Sequence, residues 1–317
     1  MLNDLVRSKL ESMKQLPAIP AVASMVLQAI DNPDTSGTIL AKLIERDPAL
    51  TARVLAVANS PFYGFSRKIS TVELAIVLLG LSTIKEIIIS LILQGVFARV
   101  QNRVFDINAF WRYSVFCGST ARFLARRLGY RVAGEAFVAG LMHDVGILIE
   151  AEFFTKEFLE IRRHQVKWGV SLIEAELTVL QCTHTDIGAW FAEKWQLPPQ
   201  LIESLYYHHS ISLSDKEPLA HASVQSNRVS ASVQEKAFYL QQEIEQPLTA
   251  LVALSELFAA ELGFKQWANE AESASPLYIP TTLIEQLTSI EMKEYLGNNL
   301  QDRLVEEFES AVEFTRI

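Results

Sequence analysis

The side chains able to do chemistry are concentrated in one stretch: all six histidines of the 317-residue chain fall between His143 and His221. Four of them join an acid in the order His143-Asp144, His184, His208-His209. Imidazole and carboxylate together make a hard-to-borderline nitrogen and oxygen ligand set suited to Fe, Mn, Ni or Zn, so the chemistry they suggest is divalent-metal binding. Each signal is weak when taken singly. His143 alone reads as a hydrogen-bonded core histidine, because a metal needs several convergent ligands. His208-His209 alone reads as a pair placed favourably at a helix C-terminus. The combination carries the metal reading, while His164 and His221, with polar neighbours, read as surface residues.

The elements that must position these groups read as helices throughout. The apolar run from Ala136 to Met142 delivers His143-Asp144 at its end. Successive helical residues point about 100° apart, so an ion at a helix end can be held by the imidazole and reached by the carboxylate as the chain leaves the helix. Pro198-Pro199 opens a helix that places His208 and His209 near its far end, and Gly129, Gly146 and Gly169 read as helix stops. In the first hundred residues Asp47-Pro48 is an N-cap followed by proline, and the helix it starts runs to Ala58 and stops at Asn59. Ser70 to Glu73 and Thr83 to Glu86 both read as capping boxes. Ile87 to Leu93 is a buried helical segment, far short of the roughly 20 apolar residues of a membrane span. After Gly263 a polar, acidic stretch leads to two further helical runs, Thr281 to Tyr295 and Asn298 to Phe314. The pattern predicts an all-α protein: an N-terminal helical bundle (1–105) packed on a helical core (106–263), with C-terminal helices (264–317) forming a cap.

Composition narrows the function classes. Lys and Arg number 28 against 37 Asp and Glu, for a net charge of −9, and half of the residues are hydrophobic. The acidity is C-terminal, since residues 211–317 carry 17 acidic and 7 basic side chains. Such a charge balance disfavours nucleic acid as a partner. The only basic cluster, Arg112, Arg122, Arg126, Arg127 and Arg131, reads as a solvated helix face. Two cysteines, Cys117 and Cys182, make neither a disulfide framework nor a paired-cysteine zinc site and fit a reducing cytoplasm. The first residues lack the pattern of a signal peptide, and no membrane association is expected.

Several runs resemble the HDOD family, the HD-related output domain branch of the HD metal-dependent phosphohydrolases. In the N-terminal half they are Leu16 to Pro20, Asp47 to Thr51, Asn59-Ser60 with Tyr63-Gly64, and Ile69 to Ile76 followed by Leu79-Gly80. In the other half they are Phe110 to Ser114, Ala139 to Gly146, Trp195 to Pro198 and His208-His209. The resemblance runs from about residue 10 to residue 263. It implies a bacterial signal-transduction output module served by signalling protein partners, with residues 97–112 as the junction where a partner would bind. It also implies a metal set of His143, Asp144, His184, His208 and His209. Two positions depart from the catalytic pattern: Tyr113 stands where active relatives place the first metal-binding histidine, and Glu256 where they place the last aspartate. Ile147 and the run Ser210-Ile-Ser-Leu213 replace the lysine and the Gly-Tyr-Pro motif of relatives that hydrolyse cyclic di-GMP. A phenol, with a reference pKa near 10, is a poor ligand at neutral pH. The resemblance therefore implies a degenerate, non-catalytic site. The alternative is a metal-dependent phosphohydrolase of a nucleotide or cyclic dinucleotide, with Asp144 placed to activate water. Asp47, Pro48, Asn59 and Gly64 have sufficient roles as caps and turns, and the aromatic turn Phe62-Tyr63-Phe65 is expected to bury itself rather than serve a partner.

Overall fold

Helix signals in the sequence become helices in the chain with few exceptions. A computed structural model describes residues 4–12, 21–32, 34–97, 105–130, 132–209, 247–264 and 299–311, and every element among them is an α-helix. The N-terminal half holds α1 (Asp4–Ser12), α2 (Ala21–Asp31), α3 (Gly37–Ile44), α4 (Pro48–Ala58), α5 (Val72–Leu79) and α6 (Leu81–Phe97). Asp47 caps α4 by accepting from the amides of Ala49 and Leu50, and Ser36 does the same for α3 through Ile39. Asn59 then closes the turn after α4. Its amide donates to the carbonyls of Leu55 and Ile69, both at 2.8 Å, and its oxygen accepts from the Ile69 amide at 2.7 Å.

Two capping expectations shift. Thr71, not Ser70, caps α5, because its hydroxyl reaches the Leu74 amide while Glu73 turns away to accept from Thr38 at 2.8 Å. The second predicted box does not exist. Helix α6 starts at Leu81, directly after Gly80, so Thr83 and Glu86 lie inside it. The apolar run Ile87 to Leu93 is buried, apart from nothing more exposed than Ile92 at 5%. Among the described residues no single helix is long and apolar enough to cross a membrane.

The second half is built on α7 (Ile107–Arg127), which is buried along most of its length. It packs closely against α8 (Ala133–Met142), and two glycines set that distance. A Cβ at Gly118 would lie 2.8 Å from the Phe137 carbonyl oxygen, and one at Gly140 would lie 2.7 Å from that of Cys117, so the two backbones touch where any side chain would force them apart. Around this pair lie α9 (Val145–Phe153), α10 (Thr155–Trp168), α11 (Leu172–Val179), α12 (His184–Lys194), α13 (Pro199–Tyr207) and α14 (Pro247–Glu261). The described C-terminal helix, α15 (Leu300–Ala311), lays Phe308 against Phe116 and Phe264 of this core, with ring centroids 5.8 and 4.8 Å apart. The predicted run Thr281 to Tyr295 lies outside the described residues, as do Arg131, His221, residues 98–104 of the expected partner junction, and the run that begins at Ser210.

The two halves meet through a polar and aromatic seam that corrects the reading of the arginines. Arg112, Arg126 and Arg127 are exposed, but Arg122 is buried, with its guanidinium 4.2 Å from the Phe62 ring centroid and 5.4 Å from that of Tyr63. A cation placed over aromatic faces in this way is attracted by the ring quadrupole. Phe62 also contacts Phe137 at 5.4 Å, so the aromatic turn packs inward as expected and leaves Phe65 at the surface. Glu86 enters the same seam from α6 and fills the space beside Gly134 that a Cβ would need.

Candidate metal centre

Three helix ends converge on a carboxylate at a fourth. His143 is the C-cap of α8, Asp144 the N-cap of α9, His184 the first residue of α12, and His208 the C-cap of α13. The predicted stop at Gly146 is instead inside the first turn of α9. Its function is close approach: a Cβ there would collide with the His184 carbonyl oxygen, so the start of α9 lies directly against the start of α12. Asp144 occupies an N-cap position, yet its side chain makes no capping bond. The carboxylate turns inward instead. Its oxygens lie 2.9 Å from His143 Nε2, 3.3 Å from His184 Nε2 and 3.4 Å from His208 Nε2.

The orientation of each ring follows from what its other nitrogen touches. His143 Nδ1 donates to the Gly140 carbonyl at 2.7 Å, and His208 Nδ1 donates to the Leu205 carbonyl at 2.9 Å. Both acceptors belong to the last turn of a helix, where carbonyls have no intrahelical partner. A carbonyl only accepts, so each Nδ1 carries a proton, and Nε2 is the nitrogen that faces the centre and is left to bind a cation. His184 Nδ1 is held at 2.8 and 2.9 Å by the two carboxylate oxygens of Glu176. His209 completes the group from the next position, its Nε2 3.1 Å from His184 Nε2. Glu256, from α14, brings Oε1 to 3.7 Å from His143 Nε2 and Oε2 to 3.8 Å from His209 Nδ1.

Enclosure makes these charges matter. His143, His184, His208, Asp144 and Glu256 are at most 2% exposed, and only His209, at 20%, reaches the surface. For His143 burial disfavours the charged ring, but the Asp144 and Glu256 carboxylates outweigh it and lift the pKa to about 9. Burial likewise opposes the charged forms of His184 and Asp144; Glu176 and Asp144 nevertheless hold His184 well above its ordinary value, and His143 holds Asp144 well below. His208 is pushed down to about 4 by burial, and Glu256 up to about 8 by the same cause. Apart from Glu176 acting on His184, the strongest charges on these groups belong to the other members of the cluster.

The residues present fit a divalent cation. Donor atoms of Asp144, His184, His208 and His209 all lie within 4.8 Å of one another. Apart from the Asp144 carboxylate, His143 Nε2 and His208 Nε2 have no hydrogen-bond partner, and Glu256 Oε1 has none. Buried polar groups left in that state are costly unless something else satisfies them, and a cation in this group would give His208 Nε2 a partner and the neighbouring Glu256 carboxylate a compensating charge.

The structure brings together His143, Asp144, His184, His208, His209 and Glu256. Tyr113 is buried on α7 with its ring 5.8 Å from that of His143. Ile147 is fully buried, one residue into α9 from Gly146. His164 is half-buried against Trp168 and takes no part. Sequence reasoning missed Glu176. It precedes His184 by eight residues on a different helix, and a glutamate in an amphipathic run carries no mark that separates a buried carboxylate from a solvated one.

Comparison with known proteins places this architecture. The HDOD domain model matches residues 16–211. A crystal structure of an HDOD domain protein of unknown function from Geobacter sulfurreducens superposes with a TM-score of 0.71 at 23% identity, over 98% of this chain and 97% of that one. A structure from Shewanella amazonensis, named as a candidate phosphohydrolase, gives a TM-score of 0.66 at 20% identity, over 98% and 97%. These likenesses carry the fold. An uncharacterised protein of Treponema pallidum is 22% identical over 214 residues, which are 67% of this chain and 41% of that relative's length. With most of its length matched by one family model and its histidine-aspartate centre enclosed in the corresponding helical scaffold, the chain belongs to the HDOD family.

Proposed function

We propose that the protein is a signal-transduction output module that keeps an HD-type centre as a structural metal site and has given up hydrolysis. Asp144, His184, His208 and His209 would hold the cation, with His143 and Glu256 beside them, and Fe, Mn, Ni and Zn all suit the donors. A divalent ion in such a site can polarise a phosphoryl oxygen or lower the pKa of bound water. Turnover also needs room for substrate and an open coordination position. The observation that carries the non-catalytic reading is enclosure: of the gathered donors only His209 has appreciable exposure, and the buried ring of Tyr113 lies 5.8 Å from that of His143. Input would then come from a signalling protein partner.

The test is elemental analysis of the untagged protein, paired with a phosphodiesterase and phosphatase screen in added Mn and Fe. Metal without turnover is the expected result. Phosphate release at enzyme-like rates, lost on Asp144→Ala, would instead establish a nucleotide or cyclic-dinucleotide phosphohydrolase, a reading favoured by the retention of three Nε2 atoms gathered around one carboxylate.

A further inference from the structure

We infer that Glu176 is a positioning residue of this centre: it fixes His184 in the one tautomer that can bind a cation and makes that ring a stronger donor. The inference rests on the proposed metal-holding role of the cluster. Histidine binds a metal through whichever nitrogen lacks a proton, and the hydrogen bond made by the other nitrogen decides which that is. For His143 and His208 a helix-end carbonyl performs this service. His184 cannot use the same device. It opens α12 instead of closing a helix, so its ring has no helix-end carbonyl of its own three residues back.

Glu176 supplies the acceptor from α11. Both of its oxygens lie on His184 Nδ1, at 2.8 and 2.9 Å, and one also accepts the His184 backbone amide at 3.0 Å. That amide is among the unsatisfied donors of the first turn of α12, so one carboxylate satisfies the helix start and orients the ring at once. Glu176 is fully buried, and so is Glu150 from α9, which lies against it. Burial first and the Glu176 charge second keep the Glu150 carboxyl well above the usual range, so it does not set a second negative charge against Glu176. A surface glutamate at an arbitrary position needs no such support. Carboxylates behind metal-binding histidines raise ligand basicity, and their loss costs about 10 to 100-fold in metal affinity.

The experiment titrates Mn and Zn into metal-stripped full-length chain in competition with a chromophoric chelator, for wild type, Glu176→Gln and Glu176→Ala. Nitrogen-15 NMR of the histidine side chains is read on the same samples before metal is added, at a pH high enough for the His184 ring to be neutral. Glu176→Ala is expected to weaken both metals by about 10 to 100-fold and to release the His184 ring from its Nδ1-protonated form. Glu176→Gln, which keeps the volume and one acceptor oxygen, should hold the tautomer with a smaller loss of affinity, and it serves as the test if the alanine variant fails to fold. Wild-type affinity in the folded variants would overturn the inference, as would an unchanged His184 tautomer in Glu176→Ala. A wild-type protein that takes up no metal would refute the proposed function instead, and the tautomer would still decide whether Glu176 sets the ring.

Discussion

Asp47 and Asp144 occupy the same kind of position, the residue before the first turn of a helix, and do opposite things. Asp47 accepts from the amides of Ala49 and Leu50 and so completes α4 within its own chain neighbourhood. Asp106 does the same for α7 through Asn108 and Ala109. Asp144 leaves its helix uncapped and spends its carboxylate on three imidazoles from three other elements. A polar side chain satisfied by the next two or three residues is explained by folding. One that forgoes that bond for partners up to 64 positions away in the sequence, inside a sealed core, is explained by what the partners are gathered around.

That contrast is broken most directly by exchanging the two aspartates for alanine. Asp144→Ala should weaken Mn or Zn binding by more than about 100-fold, since it removes the acid shared by three of the four histidines in the group. Calorimetric titration measures it, and metal uptake near the wild-type level would show that the gathering is only structural. Gly146→Ala sharpens the same point through the backbone. Its Cβ would meet the His184 carbonyl, so α9 and α12 must separate, at a cost of about 3 kcal/mol in chemical denaturation together with weaker metal binding.

A buried acid in the seam between the halves offers a comparison with the centre. Burial raises the Glu86 pKa from 4.5 to about 7, against the pull of the Arg122 and Arg126 cations. The folded state therefore binds more protons than the unfolded one between these values. The resulting stability is fully present below pH 4.5 and is lost as the pH rises through 7. Glu86→Gln should flatten this dependence by about 3 kcal/mol between pH 4.5 and 8, read from urea unfolding, with wild-type metal affinity. An unchanged pH profile would mean that Glu86 is ionised throughout. The smallest effect belongs to Asp47→Ala: about 1 kcal/mol of stability lost with the cap, no change in metal binding, and thermal unfolding as the readout.

Much of this architecture was legible in order along the chain. Asp47-Pro48, Gly169 and Pro198-Pro199 mark helix ends that appear where local chemistry requires them, because caps and breakers act within one turn. The misreadings share a cause. Thr83 to Glu86 has the form of a capping box, but the apolar length of α6 overrides it and draws Glu86 into the seam between the halves. Arg122 sits among arginines that do face solvent, and only the arrival of Phe62 from the other half buries it. Gly146 resembles a stop because a glycine that ends a helix and one that admits a neighbouring backbone are spelled alike.

The histidines themselves, their neighbours and their likeness to a known family could be read from residue types and spacing, as could an all-helical scaffold, because periodicity and capping are properties of short stretches. Which nitrogen of each ring faces inward, that Tyr113 and Glu256 both lie beside His143, and that Glu176 stands behind His184 were decided by packing alone. Those facts depend on where separate helices touch, and contact between distant segments is set by the whole core at once.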